Sequence, residues 1–195
     1  MISDKYRCIY IHPVKCGGIT IETILGDETA NASYGRHTGI RHAGAKFYKN
    51  SFPKKFESYF IFASARNPWD RVVSRYFSFL EGRNYHNPKV RKEIASHSFN
   101  EAVKHSSLVK RMHSVCSKIS VKGTAVTDEI IHFNNYEEDL RKALLKIGID
   151  CIDIPHKNKS EHKSYHEYYN DESRRIVSEF FRDDIKYFGY EYGEK

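Results

Sequence analysis

Two short apolar runs, each leading straight into a turn and then a helix, constrain this chain more than anything else in it. The first is Cys8-Ile9-Tyr10-Ile11, followed by His12-Pro13-Val14-Lys15-Cys16-Gly17-Gly18-Ile19-Thr20. The second runs from Tyr59 to Ala65 and continues into Arg66-Asn67-Pro68 and an amphipathic stretch. Strand, turn and helix repeated in this order favour a parallel sheet covered by helices. The expected fold is α/β, a central mainly parallel sheet flanked by helices, with a phosphate-binding strand–loop–helix. At 195 residues the chain is expected to form one domain, residues 1–195.

The first turn has the chemistry of an anion cradle. Gly17 and Gly18 let the backbone approach a ligand closely and allow positive φ. The helix start beyond them offers N–H groups and a partial positive charge. Lys15 brings a full charge, and Thr20 a hydroxyl. In nucleotide triphosphatases the lysine follows the glycines; here it precedes them, which points to a different phosphoester. At the second turn Asn67 and Pro68 read as an N-cap and first helical residue. Arg66 then stands at the carboxyl end of a strand and Ser74 two turns into the helix, a pairing suited to a second phosphate. Open α/β sheets bind their ligands at those carboxyl ends.

With these residues in view, the chain resembles the sulfotransferases that use 3′-phosphoadenosine-5′-phosphosulfate (PAPS), and most closely the carbohydrate branch called sulfotransferase family 2. Residues His12 to Thr20 stand where that family has a Pro-Lys-Thr-Gly-Gly-Thr-Ser type loop. Arg66-Asn-Pro68-Trp-Asp-Arg71-Val-Val-Ser74-Arg-Tyr76 fills every fixed position of its 3′-phosphate motif. Asp128 to Leu140 is similar to its late strand and helix start. Pro155 to Ser160, with the tyrosine-rich tail, is similar to its C-terminal signature. Two departures stand out: Val14 separates Pro13 from Lys15, and Cys16 and Ile19 replace loop threonines. The resemblance implies a sulfotransferase (P-loop-like) fold that moves a sulfuryl group from PAPS to a carbohydrate hydroxyl and releases adenosine 3′,5′-bisphosphate, with no metal. It assigns Lys15, Cys16, Gly17, Gly18, Ile19 and Thr20 to the 5′-phosphosulfate, and Arg66 and Ser74 to the 3′-phosphate. Lys15 is also expected to stabilise the leaving oxygen.

A base must take the acceptor's proton, and the chain has eleven histidines. The resemblance implies a histidine upstream of the 3′-phosphate strand. His42 fits that place, His37 is the second candidate, and Glu22 on the first helix is the carboxylate alternative. A net charge of +7 fits anionic partners, PAPS and an acidic glycan among them. The basic residues are scattered and no nucleic-acid signature appears, so nucleic acid is not expected. Lys54-Lys55 and Lys157-Asn-Lys159 are the expected local anion contacts. No apolar run approaches the ~20 residues of a membrane span, and no signal core of ~7–15 residues is seen. A cytoplasmic location is expected, with a lumenal Golgi domain trimmed of its anchor as the alternative. Cys8, Cys16, Cys116 and Cys151 lack metal-type spacing, and a disulfide framework is not expected.

Two other functions compete. A kinase with a variant phosphate loop would need Mg²⁺ ligands, for which Asp70 and Asp128 are available. A non-catalytic glycan- or nucleotide-binding module would need no base at all. Elsewhere, residues 20–25 read as a helix burying Ile21, Ile24 and Leu25, and residues 26–56 as an irregular acceptor-shaping loop. The helix after Pro68 is expected to bury Val72, Val73, Tyr76, Phe77 and Leu80, and helices are expected near residues 99–112. Residues 130–133 read as a strand, then Asn135 and Glu138 as the cap of a helix ending near Gly148. Residues 151–154 read as extended, and Asp171 to Phe188 as one helix burying Ile176, Val177, Phe180, Phe181 and Ile185. Tyr165, Tyr168 and Tyr169 are assigned to packing rather than to ligand stacking.

Overall fold

The computed structural model describes residues 1–26, 40–82, 87–150, 153–154 and 162–193. In chain order the elements are β1 (Ile2–Ser3), β2 (Cys8–Ile11), α1 (Gly18–Ile24), α2 (Ala45–Ser51), α3 (Pro53–Ser58), β3 (Phe60–Ala65), α4 (Pro68–Leu80), α5 (Pro88–Ala95), α6 (Phe99–His105), α7 (Val115–Ile119), β4 (Ser120–Val121), β5 (Thr124–Ala125), β6 (Glu129–His132), α8 (Tyr136–Lys146), α9 (Asp171–Phe180) and α10 (Arg182–Phe188). They divide into two compact units, residues 1–65 with 115–158, and residues 66–114 with 159–195.

The first unit is α/β. Its four-stranded sheet has the order β1-β2-β3-β6. The pairs β2–β3 and β3–β6 are parallel, whereas β1–β2 is antiparallel, so the sheet is mixed. All four residues of β2 are buried, as a strand in the middle of a helix-covered sheet requires. One face of β2 sends Cys8 and Tyr10 into a core shared with Phe62, Ile131, Ile21, Leu25, Leu140 and Leu144. The Tyr10 hydroxyl enters this core satisfied, 2.6 Å from Ser64 Oγ. β4 and β5 form a separate hairpin. Residues 45–56, expected to be irregular, lie in α2 and α3, joined through Phe52 with Pro53 starting the second helix. Lys55 of α3 binds Asp4 at 2.7 Å, so its ammonium serves an ion pair within the fold.

The second unit is helical around an aromatic core. Asn67 caps α4 by accepting from Trp69 N–H at 3.1 Å, and Pro68 is the first helical residue. Val72, Val73 and Tyr76 are buried as expected and Phe77 partly so, but Leu80 is 39% exposed and Phe79 takes the core position. A capping box, Ser98 with Glu101, starts α6. Tyr165 and Tyr169 pack with Trp69 and Phe99, and Tyr169 donates to Trp69 O at 2.9 Å. Residues 171–188 are two helices broken at Phe181, which is fully buried while Phe180 is exposed.

Within this core Arg71 and Asp184, each 1% exposed, face one another at 3.7 Å. Arg71 also donates to His113 O at 2.9 Å. Among the described residues, no helix is long and apolar enough to cross a membrane.

Candidate functional site

The turn after β2 is held in an unusual backbone. Lys15 has φ 66°, and Gly17, the residue before α1, has φ 81°. For lysine this left-handed region costs about 1–2 kcal/mol. Among the described residues, the other non-glycine positions with positive φ, Arg7 and Lys122, sit in the short connections β1–β2 and β4–β5, where tight turns account for them. Lys15 has no hairpin to close.

Two aromatic rings brace the turn. The Tyr136 hydroxyl, at the start of α8, donates to Gly17 O at 2.7 Å. A Cβ at Gly17 would come within 2.6 Å of that ring, so a side chain here is excluded by contact as well as by φ. The imidazole of His12 lies against Gly18 so closely that any Cβ would collide with it. Thr20 is buried, with its hydroxyl bonded to Tyr136. Cys16 is fully buried, and its Sγ faces Val14 O at 3.7 Å. Of the expected loop donors, Lys15 is half-buried at the turn, while Cys16 and Thr20 turn inward.

Behind the turn is a cluster that sequence reading did not assemble. Glu22 of α1 accepts from His12 Nδ1 at 2.7 Å and from Arg41 Nε at 2.9 Å, and its second oxygen accepts from Arg41 Nη2. Burial alone would raise the Glu22 carboxyl, but these donors outweigh it and hold it at about 2. Because Nδ1 of His12 donates to a carboxylate, its lone pair is on Nε2. Burial lowers the pKa of His12, against the pull of Glu22.

His42, in the 3-10 turn Ile40–His42, packs edge-on against His12 with ring centres 4.6 Å apart. Its Nδ1 donates to His12 O at 3.0 Å, which also leaves the lone pair on Nε2. Burial, with His12 adding to it, pushes His42 down to about 3. Lys118 holds the same turn by donating to His42 O at 2.5 Å. The sequence hint for this cluster was a histidine at the carboxyl end of the first strand. Its partner ten residues on became legible only with the fold.

A second histidine–carboxylate pair closes the carboxyl end of β6. His132 Nδ1 is 3.1 Å from Asp139 Oδ2, which also accepts the His132 backbone N–H at 2.9 Å. Asn135 Nδ2 donates to Asp139 Oδ1 at 3.0 Å. Asn135 was expected to cap α8 by accepting backbone N–H groups; its side chain makes no such cap bond and orients Asp139.

In the second unit Arg66 is almost buried and bound to Asp70 through two parallel bonds, Nε–Oδ2 at 2.7 Å and Nη2–Oδ1 at 2.9 Å. Ser74 is 2% exposed on α4. His37, Lys157, Asn158, Lys159, Ser160 and Cys151 lie outside the described residues. Cys8, Cys16 and Cys116 are thiols outside any disulfide.

No family model matches the chain. No solved structure matches it significantly. Over 96 residues, 49% of this chain and 73% of the other, it is 28% identical to an uncharacterized protein of Archaeoglobus fulgidus. That likeness carries no activity with it.

Proposed function

We propose that this chain is a PAPS-dependent sulfotransferase that sulfates a carbohydrate hydroxyl. The observation that carries the reading is the turn from Lys15 to Gly18. It joins a buried parallel strand to a helix, and it keeps a lysine at φ 66° that no hairpin explains. Strain retained at a strand's carboxyl end is a mark of a ligand-binding turn. The motif from Arg66 to Tyr76 is the second support, with its Asn67–Pro68 start formed as the pattern requires.

In this reading Lys15 and the backbone N–H groups of Cys16 to Thr20 hold the 5′-phosphosulfate, and Arg66 and Ser74 take the 3′-phosphate. Arg66 would then exchange part of its pairing with Asp70 for the ligand. Lys15 stabilises the charge that builds on the departing phosphate oxygen. His42 is the base that the resemblance nominates.

The kinase reading is disfavoured by its acidic residues. Asp128 precedes β6, at the amino end of the sheet, where its carboxylate accepts Ile61 N–H at 2.7 Å. Asp70 is engaged by Arg66.

Calorimetric titration with adenosine 3′,5′-bisphosphate, and with ATP–Mg²⁺ as comparison, tests the proposal. Selective bisphosphate binding, weakened at least tenfold in Lys15→Ala and in Arg66→Ala, supports it. Preference for ATP–Mg²⁺, or no bisphosphate binding, refutes it.

A further inference from the structure

Among the described residues of the first unit, four side chains are candidates to take a proton near the Lys15 turn, and three of them are committed elsewhere. Glu22 has both carboxylate oxygens engaged, by His12 and by Arg41. The side chain of His12 is 5% exposed and its ring lies against Gly18. His42 is held by the His12 carbonyl, and burial makes it a weak base. His132 differs: its side chain is 49% exposed, and its partner Asp139 is 14% exposed.

The geometry of this pair is that of an oriented proton acceptor. Asp139 is fixed by the His132 backbone N–H and by Asn135, so it presents a set oxygen to Nδ1. Donation from Nδ1–H leaves the basic lone pair on Nε2. An imidazolium formed there would face a carboxylate that these bonds, against burial, already keep ionised.

The pair also belongs to the edge of the sheet that carries the turn. Ile11, Ala63 and Ile130 are in register across the parallel strands, so His132 stands two residues past the level of Ile11. At ~4.8 Å per strand, its backbone is roughly 10 Å across the sheet from the level of Pro13. Tyr136, four residues after His132, reaches back to Gly17 O.

We propose that His132, oriented by Asp139, is the catalytic base that takes the proton of the acceptor hydroxyl. The inference rests on the sulfotransferase reading and deepens it. The acceptor O–H proton passes to His132 Nε2 while that oxygen bonds to sulfur. The bond from sulfur to the 5′-phosphate oxygen breaks, and its electron pair leaves on adenosine 3′,5′-bisphosphate beside Lys15. Asp139 is a positioning residue that balances the imidazolium.

The test uses radiolabelled PAPS with chemically desulfated heparin, chondroitin and plain water as acceptors, on the parent, His132→Gln, Asp139→Asn and His42→Asn. Bisphosphate affinity is measured first and is expected to stay within twofold in His132→Gln. The kcat of His132→Gln is expected to fall at least 100-fold with KM for PAPS unchanged, in the range of general-base effects. Imidazole ¹⁵N spectra of the parent are expected to show His132 protonated on Nδ1, a signature weakened in Asp139→Asn along with kcat.

Three results overturn the proposal: His132→Gln within threefold of the parent, a larger loss in His42→Asn than in His132→Gln, or parent His132 protonated on Nε2. The spectra decide even if a variant fails to fold. A parent that binds no bisphosphate and consumes no PAPS refutes the sulfotransferase reading itself. A parent that does both while His132→Gln stays active refutes only the base.

Discussion

Lowering the pH from 7.5 to 4.5 reads the environment of His42 directly. In the folded chain burial pushes His42 to about 3, against 6.5 for an ordinary histidine. A histidine kept neutral by the fold binds its proton more readily once unfolded. The stability it contributes is therefore complete above pH 6.5 and is lost as pH falls toward 3. From 6.5 to 4.5 this amounts to about 1.4 kcal/mol per pH unit, so about 3 kcal/mol at most. His12 is also depressed by burial and adds in the same direction. Glu22, held at about 2 against 4.5, contributes above 4.5 and loses that contribution only below it, outside the window. His42→Asn keeps an N–H donor for the His12 carbonyl but cannot titrate. Urea unfolding followed by circular dichroism at both pH values should show the parent losing up to about 3 kcal/mol more than the variant. Equal losses in the two proteins would refute the claim that the fold holds His42 neutral.

Three further outcomes follow from the packing. Gly18→Ala drives a Cβ into the His12 ring and should cost about 1–3 kcal/mol in urea unfolding. Tyr136→Phe removes the bond to Gly17 O and should cost about 1 kcal/mol, with bisphosphate affinity falling alongside if the brace shapes the turn. Asp184→Ala strands the buried Arg71 charge and should cost about 3–5 kcal/mol; a loss under 1 kcal/mol would mean that Arg71 finds solvent.

Strands β2, β3 and β6 and the α4 start were legible because their signals are local. An unbroken apolar run such as residues 8–11, stopped at once by turn residues, reads as a buried strand, and Asn-Pro before an amphipathic stretch sets a helix start. α2 and α3 were not legible, because they have seven and six residues and meet at Phe52. Too few turns repeat there for periodicity to emerge. The break at Phe181 hid for the opposite reason: the adjacent Phe180 and Phe181 both fit a continuous apolar stripe, and only packing selects the second. The turn residues of the candidate site were likewise readable from type and order. The bonds joining His12, Glu22, Arg41 and His42 depend on how strand, helix and turn converge, and no spacing rule encodes that. His132 read as one residue within the strand 130–133 until Asp139 was brought back onto it.

The contact between the His12 ring and Gly18 has a consequence for how sequences like this one can change. With the histidine in place, any side chain at position 18 must push its ring aside; once the ring is trimmed, the space opens. The two positions are thus historically coupled: a lineage leaves glycine at 18 at lower cost after it has left histidine at 12. Among divergent homologues a bulkier residue at 18 should therefore be found chiefly beside a smaller one at 12.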